Sequence, residues 1–162
     1  MYKIGIIVVS DKGYSGERTD ESGKVIRDTF TGDDFEIAEY KIVPDEREII
    51  SESLCNLADQ LGIDLIFTSG GTGMSPRDIT PEATLDVIDR LVPGIPEAMR
   101  QKSLEITSRA MLSRAVAGIR NRTLIINLPG SPKAVKECLD VISPVLLHGM
   151  EILKGQTGEC AR

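Results

Sequence analysis

The run Asp64-Leu65-Ile66-Phe67-Thr68-Ser69, passing at once into Gly70-Gly71-Thr72-Gly73, constrains the fold of this chain more than any other stretch. Its apolar centre, Leu65-Ile66-Phe67, followed closely by turn residues, reads as a strand buried on both faces, and such strands belong to parallel sheets covered by helices. The loop after it continues through Met74-Ser75-Pro76-Arg77-Asp78-Ile79 to a helix opening at Thr80-Pro81, with proline suited to the first turn. Glycines let backbone approach an anion closely, and the first N–H groups of a helix carry partial positive charge. Strand, glycine loop, carboxylate and helix start in that order make a site for phosphates and a metal. Ser69, Gly70, Gly71, Thr72, Gly73 and Thr80 are the candidate phosphate-binding residues, with Asp78 as the carboxylate that holds a divalent cation. The loop lacks the Gly-Lys-Ser/Thr ending of a P-loop, which disfavours an ordinary P-loop NTPase.

Strand and helix signals alternate on both sides of this loop, which predicts a three-layer α/β domain with a mostly parallel sheet. Lys3–Ser10 is the first expected strand and Phe35–Val43 the second, with a helix between them capped by Asp20 and running to Phe30. A helix from Glu46 carries Ile50, Leu54, Leu57, Ala58 and Leu61 on one face. The third strand is Asp64–Ser69, and Pro81–Arg90 is expected to be helical. After the break at Pro93–Pro96, a helix is expected over Glu97–Ile106. Ala115–Arg120 and Thr123–Leu128 read as strands joined by Asn121-Arg122, a link that serves only antiparallel neighbours, so a hairpin is expected at one edge of the sheet. Helices over Lys133–Ile142 and Pro144–Lys154 complete a single domain over residues 1–155, and 156–162 read as a frayed tail.

Composition narrows the partners. A net charge of −6 argues against nucleic acid and membrane surfaces, and no apolar segment approaches the length of a bilayer span. Ile4–Val9 is too short for a signal peptide. Cys55, Cys138 and Cys160 have no metal-type spacing and read as reduced thiols of a cytoplasmic protein. His148 is the sole histidine, so Ser–His and Cys–His catalysis have no visible equipment.

In a parallel sheet three strand ends converge: Ser10-Asp11, Asp45 and the loop to Asp78. Asp45 and Asp78 together suit Mg²⁺ shared with substrate phosphates. For Asp45 alone, capping the following helix is an equally good reading. Leu128-Pro129-Gly130-Ser131-Pro132-Lys133 forms a second strand-to-helix junction, with Ser131 as N-cap. The segment Arg100–Arg122 carries Arg100, Lys102, Arg109, Arg114, Arg120 and Arg122 against the single acid Glu105. It reads either as an attractor of anions or as a solvated or subunit-contact face. This inventory suits phosphoryl or nucleotidyl transfer to a nucleophile that is already anionic.

These residues resemble the molybdenum-cofactor biosynthesis family of the MogA/MoaB type, which includes the G domain of gephyrin. The resemblance rests on Ser10-Asp11, Asp20-Glu21-Ser22-Gly23, Val43-Pro44-Asp45-Glu46, Thr68–Gly73 with Arg77–Thr84, Leu112-Ser113-Arg114 with Gly118-Ile119-Arg120, and Leu128–Pro132, in family order across residues 3–154. It implies a homotrimeric adenylyltransferase that activates molybdopterin with Mg-ATP and releases pyrophosphate, with hand-over to a molybdenum-insertion protein. Asp45 and Asp78 would then be the catalytic acids and metal ligands, Ser10 and Asp11 part of the nucleotide site, and Ser113, Arg114, Gly130, Ser131, Pro132 and Lys133 the molybdopterin site. A molybdopterin-binding or carrier paralogue is the alternative, and a trimeric scaffold a more distant one.

Overall fold

The computed structural model describes residues 1–156. Six strands form one sheet in the order β2-β1-β3-β6-β5-β4. β1 (Tyr2–Val9), β2 (Phe35–Val43), β3 (Leu65–Ser69) and β6 (Thr123–Leu128) run parallel, whereas β5 (Ala117–Arg120) pairs antiparallel with β6, and β4 (Arg90–Leu91) antiparallel with β5. The parallel pairs bring the carboxyl ends of four strands to one edge. From β1 the sheet extends to β2 on one side and to β3 on the other, which opens a crevice at that edge.

Alternation along the central strands feeds both faces. Ile4, Ile6, Val8, Leu65, Phe67, Leu124, Ile126 and Leu128 pack with Ile26 and Phe30, from α2 (Ser22–Thr29) and its end, and with α6 (Pro132–Leu153) and Met99 of α5 (Gly94–Leu104). Ile7, Val9, Ile66 and Ile125 turn the other way, onto Ile50 and Leu54 of α3 (Arg47–Cys55) and Ala83 of α4 (Thr80–Leu85). Each face contributes burial at roughly 25 cal/mol per Å². Beneath the glycine loop the buried Asn127 amide donates to Thr68 Oγ1 and Thr84 Oγ1, both at 2.9 Å, and its Oδ1 accepts from the Val116 N–H. One satisfied side chain thereby joins β3, β6 and α4, and holds the floor of the site in one arrangement.

Several elements differ from the sequence reading. The expected hairpin over Ala117–Leu128 forms at the antiparallel edge of the sheet, around Asn121, whose φ of 52° is the left-handed turn conformation, and β4 extends that edge by one further strand. The helix expected to Arg90 ends at Leu85, and Arg90–Leu91 becomes the edge strand. Gly118 explains the close pairing: a Cβ there would meet Ile88 Cδ1 at 2.4 Å and the Arg90 carbonyl at 2.8 Å. α5 starts earlier than expected, at Gly94, because Pro96 sits in its first turn, where a missing N–H costs nothing. α3 passes into a π-helical turn over Asn56–Gln60, which leaves Leu61 exposed rather than on the apolar face. The two expected C-terminal helices are one helix of 22 residues with Pro144 inside it. Val135, Leu139, Ile142, Leu146 and Met150 are buried along one stripe on both sides of Pro144, and that shared burial keeps the helix continuous. Gln156 is tied down, since it accepts from Tyr2 Oη at 2.5 Å; the rest of the expected tail lies outside the described residues, as does Cys160. Cys55 lies on α3 and Cys138 is buried on α6. Among the described residues no helix is long and apolar enough to cross a membrane.

Candidate active site

A cleft of about 630 Å³ occupies the crevice at the strand ends. Each wall comes from a different strand end: Ser10 and Gly13 after β1, Asp45 after β2, Ser69, Gly70, Gly71 and Asp78 after β3, and Gly130, Ser131 and Pro132 after β6. Gly70 and Gly71 adopt φ of 99° and 66°. A Cβ on Gly70 would lie 2.4 Å from the Val9 carbonyl, and one on Gly71 would lie 2.3 Å from Thr80 Oγ1, so only glycine lets β3 turn this close to β1.

Asp45 does not cap α3, although the sequence permits it. Its Oδ2 accepts from the Asp11 N–H at 2.9 Å, and Asp11 Oδ1 accepts from the Asp45 N–H at 3.0 Å. This reciprocal pair ties the ends of β1 and β2 together. Burial pushes the Asp45 carboxyl above its ordinary value, and the charges of Asp11 and Asp78 push it further, against the opposing Asp11 N–H bond and Arg77. Asp11 moves the other way, because the hydrogen-bonded Arg77 guanidinium holds it in the charged form, helped by the Asp45 N–H. Arg77 Nε and Nη2 clasp Asp11 at 2.6 and 3.0 Å, and Nη2 also reaches Glu46 at 2.9 Å. Asp78 folds over its own loop, with Oδ2 accepting from the Ser75 N–H at 2.9 Å.

Other candidate residues take supporting positions. Ser10 caps the short helix α1 (Asp11–Tyr14) through the Gly13 N–H, and Ser69 Oγ donates to the Pro129 carbonyl at 2.9 Å. Thr80 is fully buried behind the loop, where its Oγ1 donates to the Gly70 carbonyl at 2.9 Å, so it shapes the loop from beneath. Thr72, Gly73 and Ser113 line a second, apolar cleft of about 280 Å³ with Met99, Arg109 and Cys138. Lys133 is exposed at the start of α6 and lines neither cleft.

The basic segment is largely committed internally. Arg100 Nη1 donates to the Ala115 carbonyl, Arg120 forms an ion pair with Asp59, Arg122 donates to the Lys154 carbonyl, and Lys102 pairs with Glu105. Arg114 is bound to the Gly73 and Asp78 carbonyls and to Glu82. Arg109 and Arg100 line the second cleft, and none of the six lines the main one.

Sequence reasoning missed the strap Arg18–Ser22 as a wall of the main cleft. Asp20 is fixed there by Ser22 Oγ, the Gly23 N–H and Tyr40 Oη. Gly23 is required by this packing, since a Cβ would meet Asp20 Oδ2 at 2.5 Å. The available signal was position: a long polar loop after the first parallel strand must cross the ligand-bearing edge.

The cleft's charge is decisive for its chemistry. Asp20, Glu21, Asp45 and Asp78 line it against Arg18 as the one cation among its described lining residues. A polyphosphate enters such a cleft only with a counter-cation. Among the described residues no group of three or more His, Cys, Asp or Glu could hold a metal alone. Two carboxylates, one raised by burial and like charge, nevertheless fit Mg²⁺, which takes one or two protein carboxylates and completes its shell with phosphate oxygens and water.

Comparison with known proteins places this architecture. A family model described as a probable molybdopterin binding domain matches residues 5–148. The chain belongs to this molybdopterin-binding, MogA/MoaB-type family. The molybdopterin adenylyltransferase of Helicobacter pylori J99 is 44% identical over 94% of this chain and 88% of that protein. That of Escherichia coli K12 is 42% identical over 91% of this chain and 79% of its own length. Among solved structures, the molybdopterin biosynthesis enzyme MoaB of Thermus thermophilus superposes with a TM-score of 0.91 at 52% identity, covering 96% of this chain and 98% of that one. In this family molybdopterin adenylyltransferase is the activity carried by relatives at such identity.

Proposed function

We propose that the main cleft binds Mg-ATP between Asp45, Asp78 and the Gly70–Gly73 loop, and presents its α-phosphate to the terminal phosphate of molybdopterin held at the start of α6. The activity is adenylyl transfer to molybdopterin in molybdenum cofactor biosynthesis. The observation that carries the reading is the meeting in one cleft of Asp45 from β2, Asp78 from the β3 loop and Gly130–Pro132 from the β6 junction.

The nucleophile needs no base, because the molybdopterin phosphate is already an anion. Its oxygen forms a bond to the α-phosphorus of ATP, the bond from that phosphorus to the β-bridging oxygen breaks, and pyrophosphate leaves with the electron pair. Orientation and charge are the barriers, and both fall to the residues described. Gly70 and Gly71 let backbone meet phosphate oxygens at contact distance. The N-terminus of α6, capped by Ser131 through the Ala134 N–H, favours a second anion beside Gly130. Bound by Asp45 and Asp78, Mg²⁺ would neutralise phosphate charge as it shifts onto pyrophosphate. The apolar second cleft, lined by Gly73 and Ser113, offers room for the pterin. In this reading the protein is a cytoplasmic homotrimer that passes its product to a molybdenum-insertion protein. Leu91 on β4 and Leu104, Ile106, Met111 and Leu112 at and after the end of α5 are exposed, an apolar burden suited to subunit contact.

Asp45→Ala and Asp78→Ala test the assignment. Each removes about one hydrogen bond, worth roughly 1 kcal/mol of stability, so both variants should fold. Adenylyl transfer should fall about 100-fold or more, because the metal's contribution to the transition state is several kcal/mol. Folded variants that transfer AMP at the wild-type rate would return both acids to ordinary loop residues and favour a carrier.

A further inference from the structure

Arg114 lies just before β5, against the loop that carries Asp78. Its backbone N–H donates to the Thr72 carbonyl at 2.8 Å. Its Nε donates to the Gly73 carbonyl at 2.7 Å, and its Nη2 to the Asp78 carbonyl at 2.6 Å. The remaining arm of the fork, Nη1, meets the Glu82 carboxylate on α4. One planar group therefore grips both ends of the segment 73–78 and fastens them to the helix that follows. A guanidinium has the fixed, divergent donors for this, and an ammonium does not.

The consequence falls on Asp78. Its carboxylate bonds within the same loop, to the Ser75 N–H, so its place in the cleft is set by the loop rather than by a neighbour across the cleft. The loop's own glycines give it no side-chain packing at Gly71 or Gly73. Arg77 braces the far side, through Asp11 and Glu46, but those three groups are about half exposed. The Arg114–Glu82 pair is the more buried brace, with side chains 35% and 31% exposed. Arg114 lines neither cleft.

We propose that Arg114 is a positioning residue for adenylyl transfer: it holds the 73–78 loop so that Asp78 faces Asp45, and it does not contact molybdopterin. The inference rests on the reading of Asp45 and Asp78 as the working acids. A charged side chain that orients a ligand-bearing loop is worth about 10- to 100-fold in metal affinity or activity.

The test compares Arg114→Lys, Glu82→Gln and Asp78→Asn. It reads kcat, the Mg-ATP dissociation constant by calorimetry, and the molybdopterin dissociation constant by pterin fluorescence. Arg114→Lys should lower kcat and weaken Mg-ATP binding by about 10- to 100-fold while molybdopterin binds as in wild type. Weaker molybdopterin binding at wild-type kcat would make Arg114 a substrate contact and overturn the proposal. So would wild-type kcat in Arg114→Lys beside an inactive Asp78→Asn, a result that leaves the acid assignment standing. An active Asp78→Asn would overturn the acid assignment itself, and the proposal with it. Should Arg114→Lys fail to fold, Glu82→Gln loosens the same guanidinium. A drop in kcat with molybdopterin binding retained then supports the proposal, and wild-type kcat overturns it.

Discussion

Asp45 shows how much a single residue's role depends on where its carboxylate points. From the sequence it serves equally as a helix cap or as a site acid; in the structure it exchanges hydrogen bonds with Asp11 and faces the cleft. Its carboxyl is raised by burial first and by the Asp11 and Asp78 charges after that. The folded chain therefore holds this proton to higher pH than the unfolded chain does. The stability it contributes is complete below the ordinary carboxylate range and is lost as pH rises through the folded value. Asp45→Asn keeps an oxygen to accept from the Asp11 N–H and removes the charge. Melting curves with a chelator present should show Asp45→Asn above wild type at neutral pH, with the gain shrinking as the pH falls toward about 4. An equal or lower melting temperature at neutral pH would count against a strained carboxylate. Asp11 has the opposite sign: Arg77 keeps it charged, so its contribution is present above the ordinary range and disappears as acid protonates it.

Among the elements, the glycine loop was legible and its supports were not. A strand, glycines and a helix start are consecutive in the chain, so local pattern suffices to find them. Arg114 and Arg77 make their contacts with residues distant in the chain, and nothing local to them announces which partner they meet. The basic segment Arg100–Arg122 illustrates the difference. Read in line it is a positive patch, whereas the fold distributes its cations to backbone carbonyls and to Asp59 and Glu82. The loop's geometry supports a prediction at this scale. Gly70→Ala puts a Cβ against the Val9 carbonyl, which belongs to a central strand and cannot yield. Left-handed backbone alone costs an alanine about 1–2 kcal/mol, and each 1 kcal/mol is worth roughly 2–4 °C in a chain of this size. A melting temperature lower by at least several degrees is expected, together with weakened Mg-ATP binding. Unchanged melting would mean that β1 and β3 do not approach this closely.

For the whole molecule, assembly is the property that surface chemistry bears on most. Leu91, Ile106, Met111 and Leu112 are each more than half exposed, on the short edge strand β4 and on the stretch after α5. A two-residue edge strand leaves little backbone to pair, so side chains must supply an association surface there. Sedimentation equilibrium at micromolar concentration should return three times the 17.6 kDa chain mass. Met111→Glu with Leu112→Glu should shift it toward monomer. A wild-type monomer at that concentration would count against the trimer.

Unlike the parallel seat of β6 beside β3, the α/β class, the parallel strands β1, β2 and β3, the hairpin and the glycine loop were all determined by the sequence alone. Each rests on periodicity, on turn chemistry or on residues adjacent in the chain, and these act over a few residues. Tertiary structure decided the rest. Burial along both halves of α6 kept one helix across Pro144. Close approach at Gly118 allowed Arg90–Leu91 to extend the sheet. The direction of the Asp45 carboxylate, and the capture of the Asp78 loop by Arg114, follow from residues more than thirty positions apart meeting at one sheet edge. Contacts of that separation are set by packing the layers together, and no local pattern encodes them.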